Sequence, residues 1–427
     1  MGQFIVEGGN KLSGSIIPQG NKNEALPVLA AVTLTSKEVR LSNVPAIIDV
    51  LNMIEILKSV GVKVTKHDDH QYSFQVENLN PDKLDHTLAR KLRGSFTLVA
   101  PLLSRCSRVH FPKPGGDKIG RRRIDTHLHA LEALGATVDV TSHGYEFKSE
   151  KRLVGTDILL DEASVTATEN VIMAASLAEG TTIIRNAASE PHVQQLCLFI
   201  NSLGGRISGI GSNILTIEGV QELGGGEHRI AADYLEVGSF IGLAAVTGSE
   251  LLIKDAGIPY LRMILKVFEK LGIHVMAEGE NIVVPGEQSL EIVSDYHGAI
   301  TKIDDAPWPG FPADLTSIAL VVATQCRGTV LIFEKMFESR LFFVDKLINM
   351  GAKIVLCDPH RAVVIGPSPL VGDELTSPDI RAGVALLIAA LSAKGQSVIH
   401  NVVEIDRGYE NIDLRLKSIG ANIERVS

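Results

Sequence analysis

A segment rich in proline, glycine and charged residues, at positions 111–127, is the part of this 427-residue chain best suited to chemistry. Two prolines and three glycines surround Asp117, and three consecutive arginines follow at 121–123. Glycine lets a backbone bend at low energetic cost, so the segment predicts a mobile, charged loop over residues 112–122. A solvated turn whose arginines cover a helix start would have the same composition, and no Walker phosphate-binding pattern is present.

Other charged and polar residues interrupt apolar segments elsewhere in the chain. They are Lys22, Asn23, Arg93, Asp314, Asp379, Arg381 and Arg407. Each one alone could be a helix cap or part of a surface ion pair, and Asp314 and Asp379 both stand where an N-cap is favoured. Because the cations recur at corresponding ends of repeated segments, together they predict a cationic cleft for polyanionic substrates in an otherwise acidic protein.

The segments that would position these residues are repetitive. A leucine-type residue, a glycine and alternating apolar residues return six times, with the glycine at 61, 135, 204, 272, 351 and 420. A glycine that closes an amphipathic helix and leads into period-2 apolar residues is typical of a helix end followed by a strand. Small-residue helices with apolar residues on most faces also recur, which predicts helices buried inside a layer. Each repeat is therefore predicted to be β-α-β-α-β-β.

Six such repeats are expected to form two domains of three. Pattern breaks before the first helix and after the third repeat place residues 23–232 in one domain, which carries the loop 112–122. Residues 1–22 and 233–427 would form the other, with the first strand pairing near the strand at 422–426. Because the chain would cross twice between the domains, we expect a hinge there and an active site in the cleft between them.

Composition excludes several classes of protein. The chain is 45% hydrophobic and 21% charged, which indicates a substantial core rather than disorder. A net charge of -9 argues against a general nucleic-acid-binding surface. The absence of a long apolar run or leader predicts a soluble, cytoplasmic protein that does not bind membranes. Without CxxC spacing, the cysteines at 106, 197, 326 and 357 are expected to be buried free thiols.

Several longer motifs resemble those of one enzyme family. They lie at 19–27, 114–120, 178–182, 186–191, 311–314 and 406–410. In this order, along nearly the whole chain, they resemble the UDP-N-acetylglucosamine 1-carboxyvinyltransferases, which catalyse the first committed step of peptidoglycan synthesis. The resemblance implies a two-domain inside-out α/β barrel built from six β-α-β-α-β-β repeats, with no cofactor and no metal.

The implied reaction transfers the enolpyruvyl group of phosphoenolpyruvate to the 3-hydroxyl of UDP-N-acetylglucosamine and releases phosphate, by addition and then elimination. It needs a proton donor, a proton acceptor and cations around phosphate and carboxylate. Two alternatives are transfer to shikimate 3-phosphate, as in the sister enzyme, and a non-catalytic paralogue that binds nucleotide sugar. Such a paralogue would be expected to lack Lys22, Asp314 or Arg407, and all three are present.

The resemblance also implies roles for individual residues. Asp117, Asp314, Lys22 and Arg407 would be catalytic, with Asp314 accepting the proton of the sugar hydroxyl. Phosphoenolpyruvate would be bound by Lys22, Asn23, Arg122, Arg381 and Arg407. UDP-N-acetylglucosamine would be bound by Asn23, Arg93, Arg122, Asp125, His127, Ser164, Val165, Asp314 and Met336. Asp379 is a further candidate for proton transfer near the reacting carbon.

Asp117 is the main departure from the family, most members of which carry cysteine there. A carboxylic acid can replace the thiol as a proton donor only if closure of the loop raises its pKa, because free aspartate has a pKa of about 3.9. The antibiotic fosfomycin inactivates the cysteine-bearing relatives by alkylating the thiol, so this chain is expected to be fosfomycin-insensitive. Smaller departures are Glu162, Gln195 and Ser339.

Overall fold

The computed structural model describes residues 2–116, 119–120 and 122–426, and the chain forms two compact units. We call them the terminal unit (residues 2–19, 119–120 and 232–426) and the inserted unit (residues 20–116 and 122–231). Each unit has its own hydrophobic core. Asp117, the centre of the 112–122 loop prediction, lies outside the described residues.

The elements alternate along the chain as the repeat pattern predicts. The strands are β1 (Gln3–Glu7), β2 (Ser13–Ile16), β3 (Val39–Ser42), β4 (Val62–Lys66), β5 (Tyr72–Val76), β6 (Arg108–Pro112), β7 (Thr137–Val140), β8 (Gly144–Lys148), β9 (Asp157–Leu159), β10 (Thr181–Arg185), β11 (Arg206–Ser208), β12 (Ile214–Glu218), β13 (Gly226–Arg229), β14 (Glu250–Ile253), β15 (Met276–Glu278), β16 (Asn281–Val284), β17 (Thr301–Asp304), β18 (Gly328–Phe333), β19 (Lys353–Asp358), β20 (Arg361–Gly366), β21 (Glu374–Thr376), β22 (Gln396–His400) and β23 (Asn422–Val426). The α-helices are α1 (Lys22–Ala31), α2 (Ile48–Ser59), α3 (His86–Lys91), α4 (Val99–Cys106), α5 (Asp125–Ala133), α6 (Val165–Ser176), α7 (Pro191–Ser202), α8 (Tyr234–Thr247), α9 (Arg262–Lys270), α10 (Thr316–Gln325), α11 (Val344–Asn349), α12 (Ile380–Ser392), α13 (Val403–Asp406) and α14 (Ile412–Ser418). Short 3-10 helices that matter for the site are Arg93–Leu98, Ala313–Leu315 and Arg340–Phe343.

The described strands form six sheets, and five of them share one plan. In the sheet β17-β18-β20-β19, the first pair of strands is parallel and the other two pairs are antiparallel. The same plan recurs in β9-β10-β12-β11, β2-β14-β16-β15, β13-β3-β5-β4 and β21-β22-β1-β23. In the last three of these sheets, β2, β13 and β1 join strands from distant parts of the chain. The sheet β6-β8-β7 has three strands among the described residues. One sheet per repeat confirms the predicted six-fold repetition.

Apolar helices occupy the interior of each unit. In the terminal unit α8, α10 and α12 pack against one another and are buried along most of their lengths. In the inserted unit α1 and α6 are similarly buried, and α4 packs against α6. The sheets bury one face and expose the other, as the alternating burial along β12 and β20 illustrates. Helices inside and sheets outside confirm the predicted inside-out α/β arrangement.

The six repeat glycines stand where helices end. Each follows by two positions the last residue of α2, α5, α7, α9, α11 or α14, and their φ angles lie between 74° and 104°. Only glycine adopts this left-handed conformation at little cost, because it has no Cβ. The prediction that these glycines close helices and lead into strands is confirmed.

The strand β1 lies between β22 and β23. Gln3 is opposite His400 on one side and Val426 on the other, and both pairings are antiparallel. Phe4 and Val6 are fully buried, so the strand contributes to the core of the terminal unit. The expected pairing of the first strand with the strand at 422–426 is confirmed.

Two expectations from composition meet different outcomes. Cys197 and Cys326 are buried, but Cys106 is only partly buried and Cys357 is exposed, so the prediction of four buried thiols is wrong for those two. Cys357 lies at a register shift near the end of β19, an edge strand whose side chains are nowhere fully buried. In the described ranges, none of the helices has the length and hydropathy needed to cross a membrane.

Candidate active site

Lys22 is the first residue of α1, and both its backbone and its ammonium group are held in place. Asn21 caps the helix, because its side-chain oxygen accepts the Glu24 N–H at 3.0 Å. The Lys22 ammonium donates to Asp49 Oδ2 at 2.9 Å, with only 11% and 5% of the two side chains exposed. No sequence pattern singles out Asp49, which is an acid in the first turn of the largely apolar helix α2. A buried pair of this kind holds the cation in one place.

Arg93 and Arg122 lie close together in the inserted unit. A Cβ atom on Gly116, whose φ is 107°, would stand 2.9 Å from Arg93 Cβ and 3.8 Å from Arg122 Nη1. Burial, and then the charge of Arg122, lower the pKa of Arg93 to about 10, against the opposing effect of Glu162. The guanidinium therefore remains charged at neutral pH. Two neighbouring, partly desolvated cations favour an anionic ligand.

His127 links α5 to α6. Asn170 Nδ2 donates to the Phe96 carbonyl at 3.0 Å, and Asn170 Oδ1 accepts the Ala100 N–H at 3.2 Å, so the orientation of the amide is fixed. Nδ2 also lies 2.9 Å from His127 Nδ1, which must then accept, leaving the Nε2–H to donate to Thr166 Oγ1 at 3.0 Å. Burial lowers the pKa of His127 to about 3, and nearby Arg93 adds to this effect. His127 is therefore neutral.

The start of α6 carries two of the candidate sugar-binding residues. Ser164 is the N-cap, with its Oγ accepting the Ala167 N–H at 3.4 Å, and Val165 is the first helical residue. The N-terminus of a helix presents backbone N–H groups and a partial positive charge, which suit an anion. Asp125, the first residue of α5, is paired with Arg123.

Asp314 lies between two buried arginines in the terminal unit. Its Oδ1 accepts from Arg340 Nη2 at 2.9 Å, and its Oδ2 accepts from Arg381 Nε at 3.1 Å. The side chains of Arg340 and Arg381 are 3% and 7% exposed. Asp314 stands in the 3-10 helix before α10 and does not cap that helix. The explanation of Asp314 as an N-cap is therefore wrong, because its carboxylate accepts hydrogen bonds from the two arginines instead.

Arg381 belongs to a larger hydrogen-bonded group. Its Nη1 donates to the Tyr409 hydroxyl at 3.2 Å, and that hydroxyl lies 2.9 Å from Ser239 Oγ. Burial alone would lower the pKa of Arg381, but Asp314 and Tyr409 reverse the effect and raise it. Burial raises the pKa of the nearby Asp233 to about 6, although the charge of Arg381 opposes this. Arg381 is thus a permanent cation whose orientation is fixed from several sides.

Asp379 has the role of a helix cap. Its Oδ1 accepts the N–H groups of Arg381 and Ala382 at 2.8 and 3.0 Å, and it is the N-cap of α12. The cap explanation is confirmed for Asp379. The same carboxylate lies at the start of the helix that carries Arg381, so capping also fixes the backbone of that arginine.

Arg407 and Met336 complete the predicted set in the terminal unit. Arg407 follows α13, and its Nη1 donates to Glu404 Oε2 at 2.7 Å, with 16% and 27% of the side chains exposed. A Cβ on the next residue, Gly408, would lie 2.3 Å from Ile380 Cγ2, so glycine is required for this close approach. The Met336 N–H donates to Asp305 Oδ2 at 3.2 Å, and Met336 is 41% exposed.

The structure therefore brings six of the predicted residues together, in two sets. In the terminal unit Arg381 contacts both Asp314 and Asp379, and in the inserted unit Arg93 lies near Arg122 and His127. Arg340 and Tyr409, which the sequence does not single out, join the first set. Among residues 2–116, 119–120 and 122–426, no three His, Cys, Asp or Glu side chains are arranged to hold a metal ion. These cations can bind oxyanions, and the Asp314 carboxylate beside them can accept a proton.

Similar proteins support a family assignment. The EPSP synthase (3-phosphoshikimate 1-carboxyvinyltransferase) family matches residues 6–416. The UDP-N-acetylglucosamine 1-carboxyvinyltransferase of Treponema denticola is 56% identical over 99% of both chains. The enzyme of that name from Porphyromonas gingivalis is 55% identical over the full length of both.

Solved structures agree on the fold. The enolpyruvyl transferase NikO from Streptomyces tendae has a TM-score of 0.88 and 22% identity, and covers 100% of this chain and 99% of its own. An EPSP synthase from Acinetobacter baumannii has a TM-score of 0.74 and 17% identity over 100% of both chains. With the sequence matches over the full length, this chain belongs to the EPSP synthase family and, within it, to the UDP-N-acetylglucosamine 1-carboxyvinyltransferases.

Proposed function

We propose that this protein is a transferase that moves the enolpyruvyl group of phosphoenolpyruvate to the 3-hydroxyl of UDP-N-acetylglucosamine and releases phosphate. The reaction would be the first committed step of peptidoglycan synthesis, in the cytoplasm, and would need no cofactor. Full-length identity of 51–56% to enzymes with this name supports the choice of substrates. The observation that carries the chemistry is the pair of buried arginines that hold the Asp314 carboxylate.

In the addition step, the sugar oxygen attacks C2 of phosphoenolpyruvate while C3 gains a proton. Asp314 would accept the hydroxyl proton, and Asp117, outside the described residues, would deliver the proton to C3. In the elimination step, C3 loses a proton and the C2–O bond to phosphate breaks, which gives the enol ether and inorganic phosphate. The substrate carries negative charge on its carboxylate and phosphate oxygens, and the departing phosphate gains the electron pair of the broken C2–O bond. Fixed cations lower the energy of such charge.

Cationic and polar side chains would supply this environment. Phosphoenolpyruvate would be bound by Lys22, Asn23, Arg122, Arg381 and Arg407. The planar guanidinium fork of arginine suits carboxylate and phosphate because it donates two parallel hydrogen bonds. In this structure, however, the Lys22 and Arg407 side chains pair with Asp49 and Glu404. Phosphoenolpyruvate would therefore have to share or replace those partners.

The nucleotide sugar would be held mainly by the inserted unit. Its diphosphate would lie near Arg93 and Arg122, and Ser164 and Val165 at the start of α6 would contact the nucleotide. His127 is expected to act by fixing α5 against α6, because both of its ring nitrogens already have protein partners. Asp125 and Met336 would complete the contacts.

A phosphate-release assay tests the proposal. Purified protein with phosphoenolpyruvate is given UDP-N-acetylglucosamine or shikimate 3-phosphate, and inorganic phosphate is measured over time. We expect release with the nucleotide sugar and little with shikimate 3-phosphate. Release with shikimate 3-phosphate alone would support the sister reaction. No release with either, despite binding of the nucleotide sugar in calorimetry, would support a non-catalytic binding protein.

Fosfomycin provides a second test, directed at position 117. A carboxylate is a weaker nucleophile than a thiolate toward an epoxide, so we expect no time-dependent inactivation of the wild-type protein. The variant Asp117→Cys should remain active and become sensitive, with one fosfomycin adduct per chain in a mass spectrum. Cys357, the exposed cysteine already present, serves as an internal control for nonspecific alkylation. An adduct on Asp117 in the wild type would contradict this expectation.

A further inference from the structure

A buried carboxyl group not considered so far lies beside Arg340. Glu334 directly follows β18, its side chain is 0% exposed, and its Oε1 accepts the Phe337 N–H at 3.2 Å. Its Oε2 lies 3.8 Å from Arg340 Nε, and neither of these two buried atoms has a hydrogen-bond partner. Because buried polar atoms are nearly always hydrogen-bonded, a facing donor and acceptor left unpaired call for a functional explanation.

Arg340 connects Glu334 to the candidate base. Its Nη2 donates to Asp314 Oδ1 at 2.9 Å, and its guanidinium lies over the Phe337 ring, 4.8 Å from the ring centre. Glu334 also accepts the N–H of Phe337, whose ring lies against the guanidinium. Glu334 therefore acts on Arg340 in two ways, by its own carboxyl group and by holding Phe337 in place. The Arg340 guanidinium thus has Glu334 near its Nε, Phe337 at its face and Asp314 at its Nη2. It therefore has little freedom to rotate.

The charge of Glu334 decides how it acts on Arg340. Burial raises the pKa of Glu334 to about 9, with Arg340 opposing and Asp305 adding to the increase. The Asp305 carboxylate accepts the N–H groups of Lys335 and Met336 at 2.5 and 3.2 Å. The His360 side chain contacts the backbone here, with its Nδ1 2.7 Å from the Glu334 carbonyl oxygen. Glu334 is thus neutral at neutral pH, and Arg340 forms its ion pair with Asp314.

We propose, on the basis of the function proposed above, that Glu334 is a positioning residue that fixes Arg340 and, through it, the Asp314 carboxylate. Its uncharged carboxyl group fills the space beside Arg340 Nε without competing for the cation. Once ionised, it would draw Nε across the 3.8 Å gap and pull Nη2 away from Asp314. Turnover should then fall as Glu334 loses its proton.

Two substitutions separate this role from simple packing. Glu334→Leu removes the polar contact, and we expect kcat to fall by about 100-fold with KM for both substrates changed little, as for a displaced catalytic group. Glu334→Gln, which resembles the neutral acid, should recover most of that loss. Wild-type turnover in Glu334→Leu, with intact folding by circular dichroism, would overturn the proposal.

The pH profile gives a readout that packing alone would not move. In the wild type, kcat should decline as pH rises through about 9, the pKa of Glu334. In Glu334→Gln this decline should be absent, whereas Glu287→Gln, which removes an exposed glutamate of the same unit, should retain it. An identical decline in the wild type and Glu334→Gln would overturn the role of Glu334, but would leave the proposed function intact.

Urea unfolding provides a check that needs no turnover. The pKa of Glu334 is about 9 in the folded state and near 4.5 when unfolded, so the folded state holds the extra proton between these values. Its contribution to stability is complete below the lower value and is lost progressively toward the upper one. The wild type should therefore lose stability relative to Glu334→Gln as pH rises over this range. A constant difference would overturn the neutral state of Glu334, and no phosphate release by the wild type would overturn the proposed function.

Discussion

Asp314→Asn should lower kcat by about 10²–10⁴-fold, the usual contribution of a general base. Asparagine keeps the shape of the side chain, but its one amide oxygen can accept from only one of Arg340 and Arg381, and its NH2 group faces the other donor. It also removes the negative charge, and its amide cannot take up the hydroxyl proton. Because both arginines keep their charge, KM for the anionic phosphoenolpyruvate should stay the same or decrease. Steady-state phosphate release, varied in each substrate, measures both effects.

The matched control is Asp304→Asn, which removes a carboxylate from the same unit. Asp304 is 29% exposed, and its ion pairs are with Lys302 and Lys335. We expect near-wild-type turnover for this variant, because partly exposed ion pairs contribute little. If Asp314→Asn retained full kcat, or if its only change were a higher KM for the sugar, Asp314 would be a binding residue and not the base.

Lys22→Ala should lower kcat/KM by about 10²–10³-fold, because truncating a buried charged partner typically removes 2–5 kcal/mol of binding energy. The lysine is expected to contact phosphoenolpyruvate and is already held by Asp49. The same change leaves the Asp49 carboxylate buried without its ammonium partner. We therefore also expect a loss of about 3–5 kcal/mol in the free energy of unfolding. Phosphate release and urea unfolding would be measured on the same preparation.

A double variant distinguishes the loss of activity from the loss of stability. Lys22→Met with Asp49→Leu replaces both charges by apolar groups of similar size, which commonly restores stability at buried ion pairs. We expect this protein to be as stable as the wild type but to keep the low kcat/KM of Lys22→Ala. Lys63→Ala, which removes a lysine of the same unit that is 61% exposed, should change neither property. Recovery of activity in the double variant would remove Lys22 from the set of substrate contacts.

The repeats could be predicted from the sequence because their signals are local. A helix that ends at a glycine and leads into alternating apolar residues is encoded within a few positions, as at Gly135 and Gly204. The helices α8 and α12 have apolar residues on all sides. This pattern alone predicts that they lie in the interior, without knowledge of their neighbours. Cys357 shows the limit of such patterns, because an apolar strand does not reveal that it forms the edge of a sheet.

The partners within the site could not be predicted in this way. Asp314 and Arg381 meet although 67 positions separate them, and no local pattern marks Arg340 as the second cation. A single acid near a helix start is equally compatible with a cap or a ligand, and the outcome differs between Asp314 and Asp379. The roles of Asp49 and Glu334 could not be predicted, because a single buried acid has no sequence signature beyond its apolar surroundings. Only the resemblance to a family supplied roles that periodicity could not.

The position of β1 has a consequence for the order in which the chain folds during synthesis. Residues 3–7 leave the ribosome long before the two neighbours of β1, which both lie beyond position 395. Until those strands are made, Phe4 and Val6 have no sheet to join, and the terminal unit cannot close its core. The inserted unit, by contrast, has its own core within residues 20–231, so it can fold while the rest is still being translated. The nascent chain thus carries β1 unpaired until β22 and β23 have been made, and a chaperone that covers this apolar strand would act for that whole time.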